Sequence, residues 1–247
     1  MALPPNDLGA RRWLQLLSRI LDETPAGFET ALRRWLAALA DGPPAPAPFV
    51  FLQPLSAGRV AEDQKDGQAL LAYAEMEWGL RDRYAAALAD SLAAADPAAF
   101  IALLKDIAAA ASDRPAAEFR TGPAETVPDD WGQFVRYPDA AEVPDQMARL
   151  WAFLHQTWPD DPVRAAVVAY VAIQNAHPFA DGNGRLSRIV FNSLVRPAGP
   201  YLPLRELNGL TRGGLLMPMR GAEIHDRWEA FAVALGQAVR TLHRVVG

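Results

Sequence analysis

Apolar residues recur at three- and four-residue spacing along most of this chain, and proline or glycine interrupts them every fifteen to thirty residues or so. A chain patterned this way buries its stripes by packing helix on helix. Residues 8–22 carry such a stripe in Leu8, Trp13, Leu16, Leu17, Ile20 and Leu21. Residues 26–40 carry another in Phe28, Leu32, Trp35, Leu36 and Leu39, which Gly42 and Pro43, Pro44, Pro46 and Pro48 stop. Phe49 to Leu52 reads as a short extended piece and 54–66 as loop. Helical pattern resumes over 67–94 and over 97–111, where Asp96 is placed to cap and Pro97 takes the first helical position. Further helices are predicted at 143–157, 162–176, 184–195 and 224–245. The one at 162–176 is apolar around most of its circumference, so it is expected at the centre.

The stretch 115–142 is of another kind. It is rich in proline and holds only short segments with strand character, such as Phe134 to Tyr137. An irregular loop or loose hairpin is expected, and connections of this length are commonly binding loops. The fold class is therefore all-α with a small β-like flap at most. Two units are expected: an N-terminal helical segment, 1–96, of unassigned role and a core, 97–247.

Composition narrows the function. The 247 residues suffice for a core without staples, and the absence of cysteine excludes disulfides, zinc–thiolate sites and thiol nucleophiles. A net charge of −5 speaks against a nucleic-acid partner for the surface as a whole. No apolar run reaches the ~20 residues of a membrane helix, and Met1 to Asp7 lacks the pattern of a secretory leader. The expectation is a cytoplasmic protein without a membrane partner. His155, His225 and His243 are scattered, without the spacing of metal ligands.

The chemistry concentrates in residues 177–188. Pro178 ends the preceding helix at His177. Phe179 is the one large apolar side chain of the turn and is expected to anchor it to the core. Gly182 and Gly184 permit positive φ and close approach of backbone to a ligand. A glycine-containing loop that feeds a helix N-terminus presents free N–H groups to an anion. Arg185 and Arg188, three apart, add two positive charges where the helix dipole already opposes them, a conflict that a bound polyanion resolves. Asp181 is suited to hold Mg²⁺ among phosphates, and His177 to take a proton near neutral pH. Each feature alone has an ordinary explanation: a tight turn, a capping histidine, a solvated pair of arginines. Together in twelve residues they describe phosphoryl-group or nucleotidyl transfer to a hydroxyl.

The segment from His177 to Arg188 resembles the signature of the Fic family, His-Pro-Phe-x-Asp/Glu-Gly-Asn-Gly-Arg-x-x-Arg, at every specified position. The likeness extends to Glu118-Phe119-Arg120, which resembles the lead-in to the Fic flap, to the helices over 143–176, and to Trp228 and Phe231 of the closing helix. It covers roughly 97–245; residues 1–96 resemble nothing recognisable. The resemblance implies a Fic-like helical bundle. In it His177 would deprotonate a Ser, Thr or Tyr hydroxyl of a target protein, and Asp181 would coordinate Mg²⁺. Gly182, Asn183 and Gly184 would form the anion hole, with Arg185 and Arg188 on the phosphates of ATP. Residues 119–137 would align the target by main-chain pairing. The implied product is a protein carrying AMP. Transfer of UMP or phosphocholine, removal of AMP, and a non-catalytic nucleotide-binding module are the alternatives. Family members with lysine at the second glycine act as kinases, and Gly184 argues against that.

Many Fic proteins are restrained by a glutamate in the pattern Ser/Thr-x-x-x-Glu-Gly/Asn, which pairs with the second arginine. Thr121 to Thr126 is a near miss with the wrong last residue, and the C-terminal helix holds no candidate. Restraint would come from a separate antitoxin-like protein, from residues 1–96 by some other route, or be absent. The expectation is activity without an activating substitution; labelling that appears only after deletion of 1–96 would mark that segment as inhibitory.

Overall fold

The computed structural model describes residues 6–7, 67–125, 135–195, 197, 201–202, 204, 230–231 and 233–237. The helices expected at 8–22 and 26–40, the extended piece and loop over 49–66, and the flap centre at 126–134 lie outside the described residues. So do Trp228 and, apart from 230–231 and 233–237, the helix expected at 224–245.

Five helices form the frame: α1 (Gly67–Ala93), α2 (Pro97–Ala111), α3 (Val143–Thr157), α4 (Pro162–Ala176) and α5 (Asn183–Val195). Their starts are written locally. The Asp96 carboxylate accepts the Ala98 N–H at 2.8 Å ahead of Pro97, and Asp161 accepts the Arg164 N–H at 2.9 Å ahead of Pro162. Each such cap stabilises its helix by about 1 kcal/mol, and proline at the first position loses no bond.

The central position expected for 162–176 holds. From Val163 to Ala176, α4 buries Val163, Ala166, Val167, Val171 and Ile173 among others, and α5 packs along it. α1 crosses α5 and α2, while α3 lies beside α4 and α2. One core joins Leu88 and Leu92 of α1, Phe100 and Leu104 of α2, Met147, Leu150 and Phe153 of α3, and Ile189 and Val190 of α5. Full burial of each large apolar side chain contributes about 1.5–3 kcal/mol. Phe231, in the helical stretch near the C-terminus, closes the core with its ring parallel to that of Tyr170. The described residues are mostly helical, as expected.

The buried stripe of α1 continues past the apolar residues. Leu92, Leu88, Ala85, Arg81 and Glu77 share it, so its N-terminal end brings two charged side chains into the protein. The flap appears at its base. Glu125 bridges Arg136 in antiparallel fashion, and the Tyr137 N–H donates to the Ala124 carbonyl at 3.0 Å. The short strand β2 (Val135–Arg136) also pairs in parallel with β1 (Asn6–Asp7).

Candidate active site

α4 ends at His177, as the following proline requires. His177 caps the helix in the left-handed region, φ 45° and ψ 56°. That conformation costs a non-glycine residue on the order of 1 kcal/mol and turns the chain sharply into the loop. Phe179 is 2% exposed and meets the Phe119 ring at 5.5 Å, which anchors the turn as expected. Asn183 closes it. Its Oδ1 accepts the Phe179 N–H at 2.9 Å and its Nδ2 donates to the Phe179 carbonyl at 2.7 Å. The Asn183 side chain is thus turned into the protein, and only its backbone is left to face a ligand.

Gly182 has φ 85°, and a Cβ there would sit 2.6 Å from the Ser112 hydroxyl at the end of α2. Only glycine fits that position without strain. The Leu186 N–H makes the first helical bond of α5, to the Gly182 carbonyl at 2.9 Å. The N–H groups before it project from the helix start. Both arginine heads fold back over this start. Arg185 Nη2 lies 3.8 Å from where a Cβ of Gly182 would be, and Arg188 Nη1 lies 3.3 Å from that of Gly184. Two guanidinium groups and a helix N-terminus therefore converge on the glycines of one loop.

Arg185 donates to Asp181 at 2.9 Å, with the aspartate side chain 62% exposed. Partial desolvation works to raise the Asp181 carboxyl. The Gly182 N–H and the Arg185 guanidinium, with Arg114 further off, outweigh it and hold the group below the usual aspartate range. The carboxylate is ionised and open to solvent at neutral pH, which fits a ligand for a cation brought in on phosphates. Such an ion needs only one or two protein carboxylates, and no cluster of three candidate ligands exists among the described residues.

Residues 94–195, from just before α2 to the end of α5, match the Fic/DOC family. That match takes in the whole segment from His177 to Arg188. Over 54 residues it is 43% identical to a protein from Culex quinquefasciatus named protein adenylyltransferase Fic, and 41% identical to one of the same name from Aedes aegypti. The match takes in 22% of this chain and only 11% of either relative. A crystal structure of a Fic family protein from Desulfovibrio desulfuricans G20 superposes with a TM-score of 0.55 at 17% identity, over 90% of this chain and 74% of that one. That likeness is one of fold.

The second arginine of the Fic motif is engaged by a residue that the sequence reading passed over. Glu77 of α1 accepts from Arg188 Nε at 3.0 and 3.2 Å and from Nη2 at 2.5 Å. The two side chains are 4% and 11% exposed. Burial alone would lower the Arg188 guanidinium, but Glu77 overrides it, aided by Tyr201 and Tyr170, and the group stays charged. Tyr201 donates its hydroxyl to Glu77 Oε2 at 2.8 Å. Tyr201 is held in turn by Asn192 of α5, whose side chain bonds both the N–H and the carbonyl of Leu202. Tyr73 and Trp78 stand where the inhibitory pattern asks for Ser/Thr and Gly/Asn, so a search by pattern does not find Glu77. The available signal was an acidic residue on the buried stripe of a helix, since such a group needs a cationic partner.

Proposed function

We propose that the Fic domain of this chain transfers AMP from ATP to a hydroxyl side chain of a target protein. The observation that carries the reading is the convergence of the Arg185 and Arg188 heads on the glycines at the start of α5, with ionised Asp181 beside them and His177 at the loop's entrance. The names of the mosquito relatives support AMP as the group moved.

On this reading the triphosphate lies across the N-terminus of α5. The N–H groups of Asn183 and Gly184 face its oxygens, and Arg185 and Arg188 balance its charge. Asp181 would hold a magnesium ion carried with the nucleotide, which would neutralise phosphate charge. His177 takes the proton from the target hydroxyl. The hydroxyl oxygen then forms a bond to the α-phosphorus as the bond to the β-phosphate oxygen breaks, and pyrophosphate leaves with its charge on the arginines. The flap base around Glu125 and Arg136 would present the target strand.

Glu77 occupies the guanidinium of Arg188, one of the two that this scheme assigns to the phosphates. A carboxylate bound through two donors of Arg188 both competes for those donors and repels the phosphate. The chain as it stands is therefore restrained from within, through the segment before residue 97, and needs no separate inhibitory protein to be so.

Incubation of the Glu77→Gly chain with ATP labelled on the α-phosphate tests the function. Label in the chain itself or in a lysate protein is expected, and His177→Ala in the same background should abolish it. Label supplied instead by UTP or CDP-choline would reassign the group transferred. Nucleotide binding with no incorporation from any of the three would leave a binding module.

A further inference from the structure

We infer that Tyr137 and Arg120, both outside the signature, are positioning residues for the His177 imidazole; the inference rests on the transferase reading. The Tyr137 and His177 rings are stacked, with centroids 4.1 Å apart and planes 17° from parallel. Tyr137 is 9% exposed, so the contact is an interior one. The ring reaches His177 from the flap, where the Tyr137 N–H bonds Ala124 across the hairpin base.

Arg120 joins the same two places from the other side. Its Nε donates to the His177 carbonyl at 2.8 Å, and Nη2 donates to the carbonyls of Ala176, at 3.3 Å, and of Pro138, next to Tyr137. Nη1 donates to the Gly122 carbonyl at 2.8 Å, and the Arg120 N–H bonds Pro178 at 2.9 Å. One buried guanidinium thus ties together the end of α4, the left-handed turn at His177 and both arms of the flap base. Burial lowers the guanidinium, with Asp139 opposing, yet a group that begins so high stays charged. Charged donors to carbonyls are about twice as strong as neutral ones. Lysine lacks the planar fork needed to reach four carbonyls at once.

An imidazole on a strained turn has two freedoms, the backbone that carries it and the rotation of its ring. Arg120 removes the first and the Tyr137 ring the second. General-base catalysis needs the accepting nitrogen within hydrogen-bond reach of the hydroxyl, and small misplacements are costly. The flap that aligns the target and the base that activates it become one rigid unit.

The test uses the full chain with Glu77→Gly as the active parent, labelled at its histidines. With four histidines in the chain, the His177 ring signals are assigned by their loss in His177→Ala. In the parent and in Tyr137→Phe those ring protons should lie upfield, shielded by the stacked ring. In Tyr137→Leu they should move toward free-imidazole positions. Across the same variants kcat should fall on the order of tenfold in Tyr137→Leu with KM for ATP unchanged, and recover in Tyr137→Phe. Arg120→Lys should show the same split. If Tyr137→Leu does not fold, Tyr137→Met, closer in volume, carries the test. Unmoved ring protons in the aliphatic variant overturn the inference, and so does an unchanged kcat with moved protons. Absence of transfer in the parent itself sinks the transferase reading separately, and the ring shifts then decide the positioning alone.

Discussion

The two arginines of the signature begin on one helical turn and end in opposite environments. Arg185 pairs with Asp181, four residues away, at a mouth where the carboxylate is more than half exposed. Arg188 pairs with Glu77, 111 residues away, where both side chains are nearly sealed from water. The first pair is a local contact at the surface, which water screens and can separate at little cost. The second is a lock, because a carboxylate taken out of water cannot release the Arg188 guanidinium unless another cation or solvent reaches it. The same residue type sits in an open ion pair at one end of the turn and in a buried one at the other.

Several substitutions would break or sharpen that contrast. The largest stability effect is expected from Arg188→Ala, which leaves the Glu77 carboxylate buried without the guanidinium that balances its charge. Chemical denaturation should show a loss of about 3–5 kcal/mol, against less than about 0.5 kcal/mol for Arg185→Ala. Equal losses would mean that Glu77 is not locked. Next, Glu77→Gly should raise AMP incorporation at least about tenfold, which corresponds to about 1.4 kcal/mol of restraint released. It should also enlarge the shift in Tm on adding ATP, since the freed guanidinium then gains a phosphate partner only with ligand. Tyr201→Phe removes one hydrogen bond from the lock. A stability loss of about 1–2 kcal/mol and a rise in incorporation smaller than that of Glu77→Gly should follow. No rise would place all of the restraint in the Arg188 contact.

The smallest effect concerns pH. The folded state holds the Asp181 carboxyl below its ordinary value. A depressed acid stabilises the fold above its unfolded pKa of about 3.9, and that contribution is lost as pH falls through the lower folded value. For so exposed a pair it is at most about 1 kcal/mol. Wild type and Asp181→Asn should therefore differ slightly in denaturation midpoint at pH 7 and converge at pH 2–3. A difference that persists in acid would show that the carboxylate acts through something other than its charge.

Much of this molecule was readable residue by residue. The spans of α1 to α5 follow from stripe spacing, from the Asp-Pro starts before α2 and α4, and from the Pro178 stop. The loop from His177 to Arg188 was readable too, because its parts are neighbours and the conformation each requires is set by its own chemistry: a residue before proline, a glycine at positive φ, arginines one helical turn apart. Asn183 shows where that reading thins. Its place in the motif was plain, but its side chain faces inward to Phe179.

The chain's own residues determined the helical spans of the described residues and that one loop gathers an imidazole, a carboxylate and two guanidinium groups. Only the tertiary structure decided that the stripe of α1 brings Glu77 against Arg188, that Tyr201 holds that carboxylate, and that Tyr137 and Arg120 bracket the imidazole. Helix periodicity and turn chemistry act over a few residues, so they are written in local order. Which buried charge meets which is set by how α1 lies across α5, and that is decided by the packing of the whole core.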